Sequence, residues 1–86
     1  MKLRYKFTIQ KLGSKYAAIT VDEDAAKFNG MLKVNETGMK ILQALSRDIE
    51  KTDILDLLKD DFDNPDEMNS QLDTFLDQLY KAGLLI

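Results

Sequence analysis

The chain has 86 residues, of which 44% are hydrophobic and 31% are charged. This composition is typical of one small soluble globular domain and differs from that of a disordered chain. There is no cysteine and no histidine, which excludes disulfide bridges, thiolate metal sites and the commonest general base. No apolar run reaches transmembrane length and the N-terminus lacks a signal-peptide pattern, so we expect a cytoplasmic protein that binds no membrane.

Charge is divided unevenly along the chain, whose formal net charge is −3. Residues 1–45 hold eight basic and four acidic side chains, whereas residues 46–86 hold four basic and eleven acidic ones. Two interpretations stay open. The two halves either present solvated faces that differ in sign by chance, or they flank a docking groove with a mildly basic sheet on one side and acidic helices on the other.

The first third of the chain has the pattern of strands. Phe7 and Ile9 alternate with polar residues, the period of a half-buried strand. Gly13-Ser14 predicts a two-residue hairpin loop, a second strand follows over 15–20, and 21–29 reads as an irregular connection. The hairpin predicts the following pairs: Leu12 with Lys15, Gln10 with Ala17, and Thr8 with Ile19.

The stretch 28–38 combines a turn, a short extended run and the start of a helix. Met31 to Val34 is too short for a buried helix and is bounded by Gly30 and Asn35, so it predicts a third strand. Asn35 is predicted as the helix N-cap, and negative charge in the first turn, here Glu36, suits the helix dipole. A glycine in that turn, Gly38, lowers helix propensity by up to about 1 kcal/mol and indicates a close approach of two backbones.

After this cap the pattern is helical to the end of the chain. The first two helices have apolar faces formed by Met39, Ile41, Leu42 and Leu45, and by Ile54, Leu55, Leu58 and Phe62. The third is predicted to begin at Asn64 with Pro65 in its first turn and a capping box completed by Glu67. Gly83 is predicted as its C-cap. The last three residues are expected to run back onto the core. The apolar stripe of the third helix is most simply interpreted as core and consists of Met68, Leu72, Phe75, Leu76 and Leu79.

Three strands followed by three helices predict a single α+β domain over residues 1–86, with an antiparallel sheet. No residues point to catalysis. The carboxylates of 60–67 lack the glycine that a calcium loop needs, and no phosphate-binding glycine motif is present. We therefore expect no enzyme activity, no metal and no cofactor. Nucleic acid is a rival partner, but the second and third predicted helices carry eight acidic side chains and would repel phosphates.

Two groups of residues resemble one known family. Phe28-Asn29-Gly30-Met31, followed by Val34-Asn35-Glu36-Thr37-Gly38, looks like the central signature of the pyrroloquinoline quinone biosynthesis protein D family (PqqD-like proteins). The later pattern resembles the C-terminal half of that family: Ile54, Leu58, Phe62, Phe75, Leu76, Leu79, and Ala82-Gly83-Leu84-Leu85. The resemblance covers nearly the whole chain.

The resemblance implies a winged-helix-like peptide-recognition domain that binds the leader of a ribosomally made precursor peptide. The leader would add as a strand beside the third strand, and the domain would present it to a modifying enzyme, frequently a radical S-adenosylmethionine enzyme. The peptide-binding residues implied by position are Met31, Leu32, Lys33, Val34, Met68, Gln71, Leu72, Phe75 and Gln78. The residues Asn29, Gly30, Asn35, Glu36, Thr37 and Gly38 are expected to be structural.

Three hypotheses follow for the function. The first is a non-catalytic adaptor, monomeric or weakly dimeric, that captures a leader peptide by strand addition for pyrroloquinoline quinone synthesis or for another peptide pathway. The second is a winged-helix regulator that binds nucleic acid. The third is a small dimerisation module in which the open strand edge pairs with a second copy.

Overall fold

The computed structural model describes residues 1–21 and 30–86. A three-stranded sheet comes first, with β1 at Phe7–Leu12, β2 at Lys15–Thr20 and β3 at Met31–Val34. The helices follow, with α1 at Glu36–Ala44, α2 at Lys51–Leu58 and α3 at Pro65–Lys81; a 3₁₀ turn at Lys59–Asp61 extends α2. This confirms the predicted α+β order of three strands and three helices. The predicted connection over 21–29 lies, apart from Val21, outside the described residues.

The sheet is antiparallel with the order β1-β2-β3. The β1–β2 register is the predicted one, because Leu12 pairs with Lys15 and the two strands meet around Gly13, whose φ of 63° suits the first central position of a primed hairpin turn. Cross-strand partners share a face. The inner face, which packs on the helices, carries Phe7, Ile9, Ala18, Leu32 and Val34. The outer face carries Thr8, Gln10, Leu12, Lys15, Ala17, Ile19, Met31 and Lys33.

The core lies between the inner face of the sheet and the three helices. Its largest fully buried side chains are Ile41, Leu42, Leu45, Ile54, Leu58, Leu72 and Leu84. Most of them belong to the apolar faces that helical spacing predicts. Since burying one such side chain contributes about 1.5–3 kcal/mol, this cluster holds the helices on the sheet.

The helix ends show which polar contacts position the helices. The Asn35 side chain accepts a hydrogen bond from the Gly38 N–H at 2.9 Å, as predicted for an N-cap. Asn64 caps α3 by accepting from the N–H groups of Asp66 and Glu67. The predicted capping box there is incomplete, because the Glu67 carboxylate accepts from Gln71 instead.

A capping box forms at α2, where it was not predicted. There Glu50 is the N-cap and the Asp53 carboxylate accepts from the Glu50 N–H at 3.4 Å.

The C-terminal residues fold back as predicted. Gly83 ends α3 with a φ of 75°, and its N–H donates to Tyr80 O while the N–H of Leu84 donates to Leu79 O. This is the Schellman pattern. Beyond it, residues 84–86 pair with residues 2–4 through a bridge between Leu3 and Leu85, a contact that no local pattern indicated. No helix in the described part of the chain is long and apolar enough to cross a membrane.

Candidate functional site

Strand β3 forms one edge of the sheet. It pairs with β2 alone, and among the described residues no other strand lies against its second edge. An edge of this kind presents backbone N–H and C=O groups that can accept another strand. The candidate site is therefore built first from backbone, as the sequence indicated.

The hydrogen-bond pattern shows which backbone groups point outward. The N–H of Val21 donates to Lys6 O at 3.1 Å, which continues the β1–β2 register by one pair. Hydrogen-bonded pairs alternate along an antiparallel ladder. The backbone groups of Leu32 and Val34 therefore form the hydrogen bonds to β2, with Ala18 and Tyr16 as their partners. The backbone groups of Met31 and Lys33 consequently point toward the open edge.

A close packing junction holds β3 against the helices. A Cβ placed on Gly38 would lie 2.8 Å from the Val34 Cβ and 3.1 Å from Cε2 of Phe75. The first distance is shorter than carbon atoms tolerate, and the second would require the Phe75 ring to shift by a few tenths of an ångström. Glycine at position 38 therefore lets α1 begin directly beside β3 while Phe75 of α3 reaches the same point. A close approach is present as predicted, but it is made to the Val34 side chain and not to a second backbone.

A shallow cavity of about 180 Å³ opens next to this junction, between the start of α1 and one face of α3. On α3 it is bounded by side chains at helical spacing, three of them polar and neutral and the fourth the aromatic ring of Phe75. The lining residues are Asn35, Thr37, Gly38, Ile41, Gln71, Thr74, Phe75 and Gln78. We call this cavity together with the open edge of β3 the recognition groove.

The structure brings together part of the predicted peptide-binding set. Gln71 and Gln78 are exposed and Phe75 is half-buried, and all three line the cavity. Met68 and Leu72, by contrast, are 8% and 0% exposed and belong to the core. Neither of them lines the cavity, because their side chains pack in the core.

The four β3 residues divide by face. Leu32 and Val34 are half-buried on the inner face, whereas Met31 and Lys33 are exposed on the outer face. Of the predicted structural residues, Asn35 is the N-cap and Glu36 occupies the first turn of α1. Gly30 is exposed directly before β3, and Asn29 lies outside the described residues.

Five residues of the cavity were not predicted to bind peptide: Asn35, Thr37 and Gly38, which were expected to be structural, and Ile41 and Thr74. Thr74 lies three residues after Gln71 and four before Gln78, so helical spacing alone could have included it. Thr37 and Ile41 carry no such signal. They line the cavity because α1 and α3 come together in the folded domain.

Several charged residues of α1 and α3 form ion pairs. The Lys40 ammonium donates to the Asp61 carboxylate at 2.8 Å and ties α1 to the 3₁₀ turn. That hydrogen bond, with the charge of the carboxylate, holds the pKa of Lys40 above its usual 10.5. On α3, Asp73 pairs with Lys51, and Asp77 pairs with Lys81 at 3.0 Å.

A larger groove of about 670 Å³ lies on the other side of the domain, between residues 2–9 and the second half of α1. We do not place the binding site there. The N–H groups of Lys2, Leu3 and Arg4 already donate to Ile86 O, Leu45 O and Leu84 O. The backbone of residues 2–4 is therefore already paired, whereas β1 beyond them is the second edge strand of the sheet.

Comparison with known proteins identifies the family. No curated protein and no solved structure matches the chain. The family model of coenzyme PQQ synthesis protein D (PqqD) matches residues 17–85, which include most of β2, all of β3 and all three helices. The chain therefore belongs to the PqqD family, whose members are non-catalytic accessory proteins in the synthesis of pyrroloquinoline quinone and related ribosomally made peptide products.

Proposed function

We propose that this protein is an adaptor that binds the leader of a ribosomally made precursor peptide by strand addition at β3. It then presents the peptide to a modifying enzyme, for which a radical S-adenosylmethionine enzyme is the candidate class. The observation that carries the proposal is the open edge of β3, where the backbone groups of Met31 and Lys33 point away from the sheet.

The recognition groove has the two components that strand addition needs. Main-chain groups on an edge supply hydrogen bonds that are independent of sequence, and pockets beside the edge supply side-chain contacts. Here the edge is β3, and the pocket contains Phe75 with Gln71 and Gln78. A leader residue whose side chain points to the inner face would lie against Val34 and Phe75, so we expect an apolar residue there.

The experiment begins with peptide selection. A phage-displayed library of random dodecapeptides is panned on the immobilised protein, and the affinities of enriched peptides are measured by calorimetry. The same peptides are then tested on Lys33→Pro. This variant loses the outward N–H of Lys33 but keeps every hydrogen bond between β2 and β3, so we expect a folded protein that no longer binds.

Lys11→Pro is the matched control. Lys11 pairs with Tyr16, and the same alternation directs its N–H to the opposite edge of the sheet. We expect Lys11→Pro to bind the selected peptides as the parent does. Failure to enrich any peptide, or equal affinity of the parent and a folded Lys33→Pro, contradicts strand addition at β3.

Hydrogen exchange gives an independent measurement on the unmodified protein. In the free protein the amides of Met31 and Lys33 should exchange fast, because their N–H groups face solvent. A saturating selected peptide should slow both of them while leaving Ile9 and Lys11 unchanged. Protection confined to β1 would contradict the proposed edge.

Two inexpensive assays test the other two candidate functions, nucleic-acid binding and dimerisation. A salt-sensitive mobility shift of a DNA or RNA duplex would support a nucleic-acid regulator, but the acidic residues of α3 make this unfavourable. A monomer–dimer equilibrium in sedimentation that is abolished by Lys33→Pro would indicate that the β3 edge serves a second copy of the chain. For an adaptor we expect neither.

A further inference from the structure

Lys33 is an exposed cation at the open edge of the sheet. Its side chain is on the outer face and its cross-strand partner is Ala17, a small uncharged residue. No ion pair of Lys33 occurs among the described residues. This differs from Lys40, Lys51 and Lys81, each of which is paired with an aspartate.

Among the residues that the structure describes, the outer-face neighbours of Lys33 are uncharged or positive. The other outer-face residues of the three strands are Thr8, Gln10, Leu12, Lys15, Ala17, Ile19 and Met31, none of which is acidic. Lys15 of β2 is the diagonal neighbour of Lys33 on this face. Long side chains still influence each other at that separation. The described strand residues therefore make the outer face beside the β3 edge basic, although the chain as a whole is acidic.

The strand register determines what an added peptide would place near this cation. Because the backbone of Lys33 points outward, a residue of an added strand would lie directly opposite it. Directly opposed residues carry their side chains on the same face. The side chain of that peptide residue would consequently lie on the outer face, beside the Lys33 ammonium.

We propose, on the basis of strand addition at β3, that Lys33 is a specificity-determining residue that selects a leader peptide with Asp or Glu at the position directly opposite it. The neighbouring peptide positions face inward and take apolar residues against Val34 and Phe75. The preferred leader thus alternates an acidic residue with apolar ones, and its charge complements the outer face of the sheet.

The test repeats the dodecapeptide selection on four proteins: the parent, Lys33→Glu, Lys33→Met and Lys11→Glu. We expect parent-selected peptides to carry Asp or Glu at one aligned position. With Lys33→Glu that position should change to Lys or Arg, and with Lys33→Met it should lose its charge preference. Lys11→Glu changes the charge equally on a strand at the opposite edge, and it should select the same peptides as the parent.

Synthetic peptides measure the size of the effect. Replacing the selected Glu by Gln should weaken binding to the parent by about two- to fivefold, the range expected for one cross-strand charge pair. The same replacement should not change binding to Lys33→Met. Raising the salt concentration should reduce the difference between the two peptides, since both charges are exposed to solvent.

The outcomes separate this proposal from the one on which it rests. If Lys33→Pro abolishes binding but the parent and Lys33→Glu select peptides of the same charge, strand addition stands and charge selection by Lys33 is wrong. If Lys33→Pro still binds the selected peptides, strand addition at β3 is wrong and charge selection fails with it. A charge preference that changes equally in Lys11→Glu would show a general field effect and overturn the role of Lys33.

Discussion

Gly38 lies against Val34 so closely that a methyl group on its Cα would come within 2.8 Å of the Val34 Cβ. Phe75 approaches the same point from α3, with Cε2 at 3.1 Å. One glycine in the first turn of α1 thus allows β3, α1 and α3 to meet. The recognition groove begins at this junction.

We expect Gly38→Ala to destabilise the domain. Overpacking costs about 1–3 kcal/mol, which outweighs the gain in helix propensity of up to about 1 kcal/mol. Urea unfolding followed by circular dichroism measures the difference. Gln43→Ala changes an exposed position of the same helix and should be neutral or slightly stabilising. An equal gain in stability in both variants would show that Val34 and Phe75 move aside at little cost, and it would contradict this prediction.

We expect Phe75→Ala to weaken binding of the selected peptides by at least about tenfold, because burial of an aromatic side chain by an apolar partner contributes about 1.5–3 kcal/mol. Tyr80→Ala is the control, since Tyr80 is on the same helix, 71% exposed and outside the cavity. Calorimetry on both variants, with folding verified by circular dichroism, checks this. Equal affinities would remove Phe75 from the binding surface.

We expect Leu84→Ala to lower the free energy of unfolding by about 2–5 kcal/mol, the cost of a cavity at a fully buried leucine. Leu84 is 0% exposed, whereas Ile86, two residues later, is 52% exposed. Ile86→Ala should therefore change stability by less than about 1 kcal/mol. Chemical unfolding of the two variants distinguishes a structural C-terminus from a passive one, for which both changes would be small.

We expect the ion pair between Lys40 and Asp61 to stabilise the fold at neutral pH and to lose its effect in alkali. The pKa of Lys40 is raised by this contact, so the stabilisation is complete below the ordinary value of 10.5 and disappears as the pH rises through the raised pKa. The difference in melting temperature between the parent and Lys40→Met should follow that course. Lys15→Met, which replaces an exposed lysine of the hairpin, is the control and should show no such dependence on pH. A difference between the parent and Lys40→Met that persists unchanged in strong alkali would contradict the stabilising role of the ion pair.

The secondary structure of this protein was largely predictable from local sequence. Gly13, Asn35 and Asn64 act through backbone angles or through hydrogen bonds to residues close in sequence. Their effects can therefore be predicted from the neighbouring residues. The hairpin register followed from loop length. The carboxylate contacts at helix starts were less predictable. Glu67 accepts from Gln71 rather than completing the predicted box, since an exposed carboxylate in the first turn can reach either partner.

The candidate site depended more on tertiary structure. Helical spacing placed Met68 and Phe75 on one apolar stripe, but only the packing of α3 decided that Met68 is buried and that Phe75 borders a groove. Thr37 and Ile41 joined the site because two helices distant in sequence converge.

The sequence alone determined the element order, the Asn35 and Asn64 caps and the short third strand. Tertiary structure decided which side chains face the open edge of that strand, since helical periodicity specifies an apolar face but not the neighbour that each residue of the face will meet.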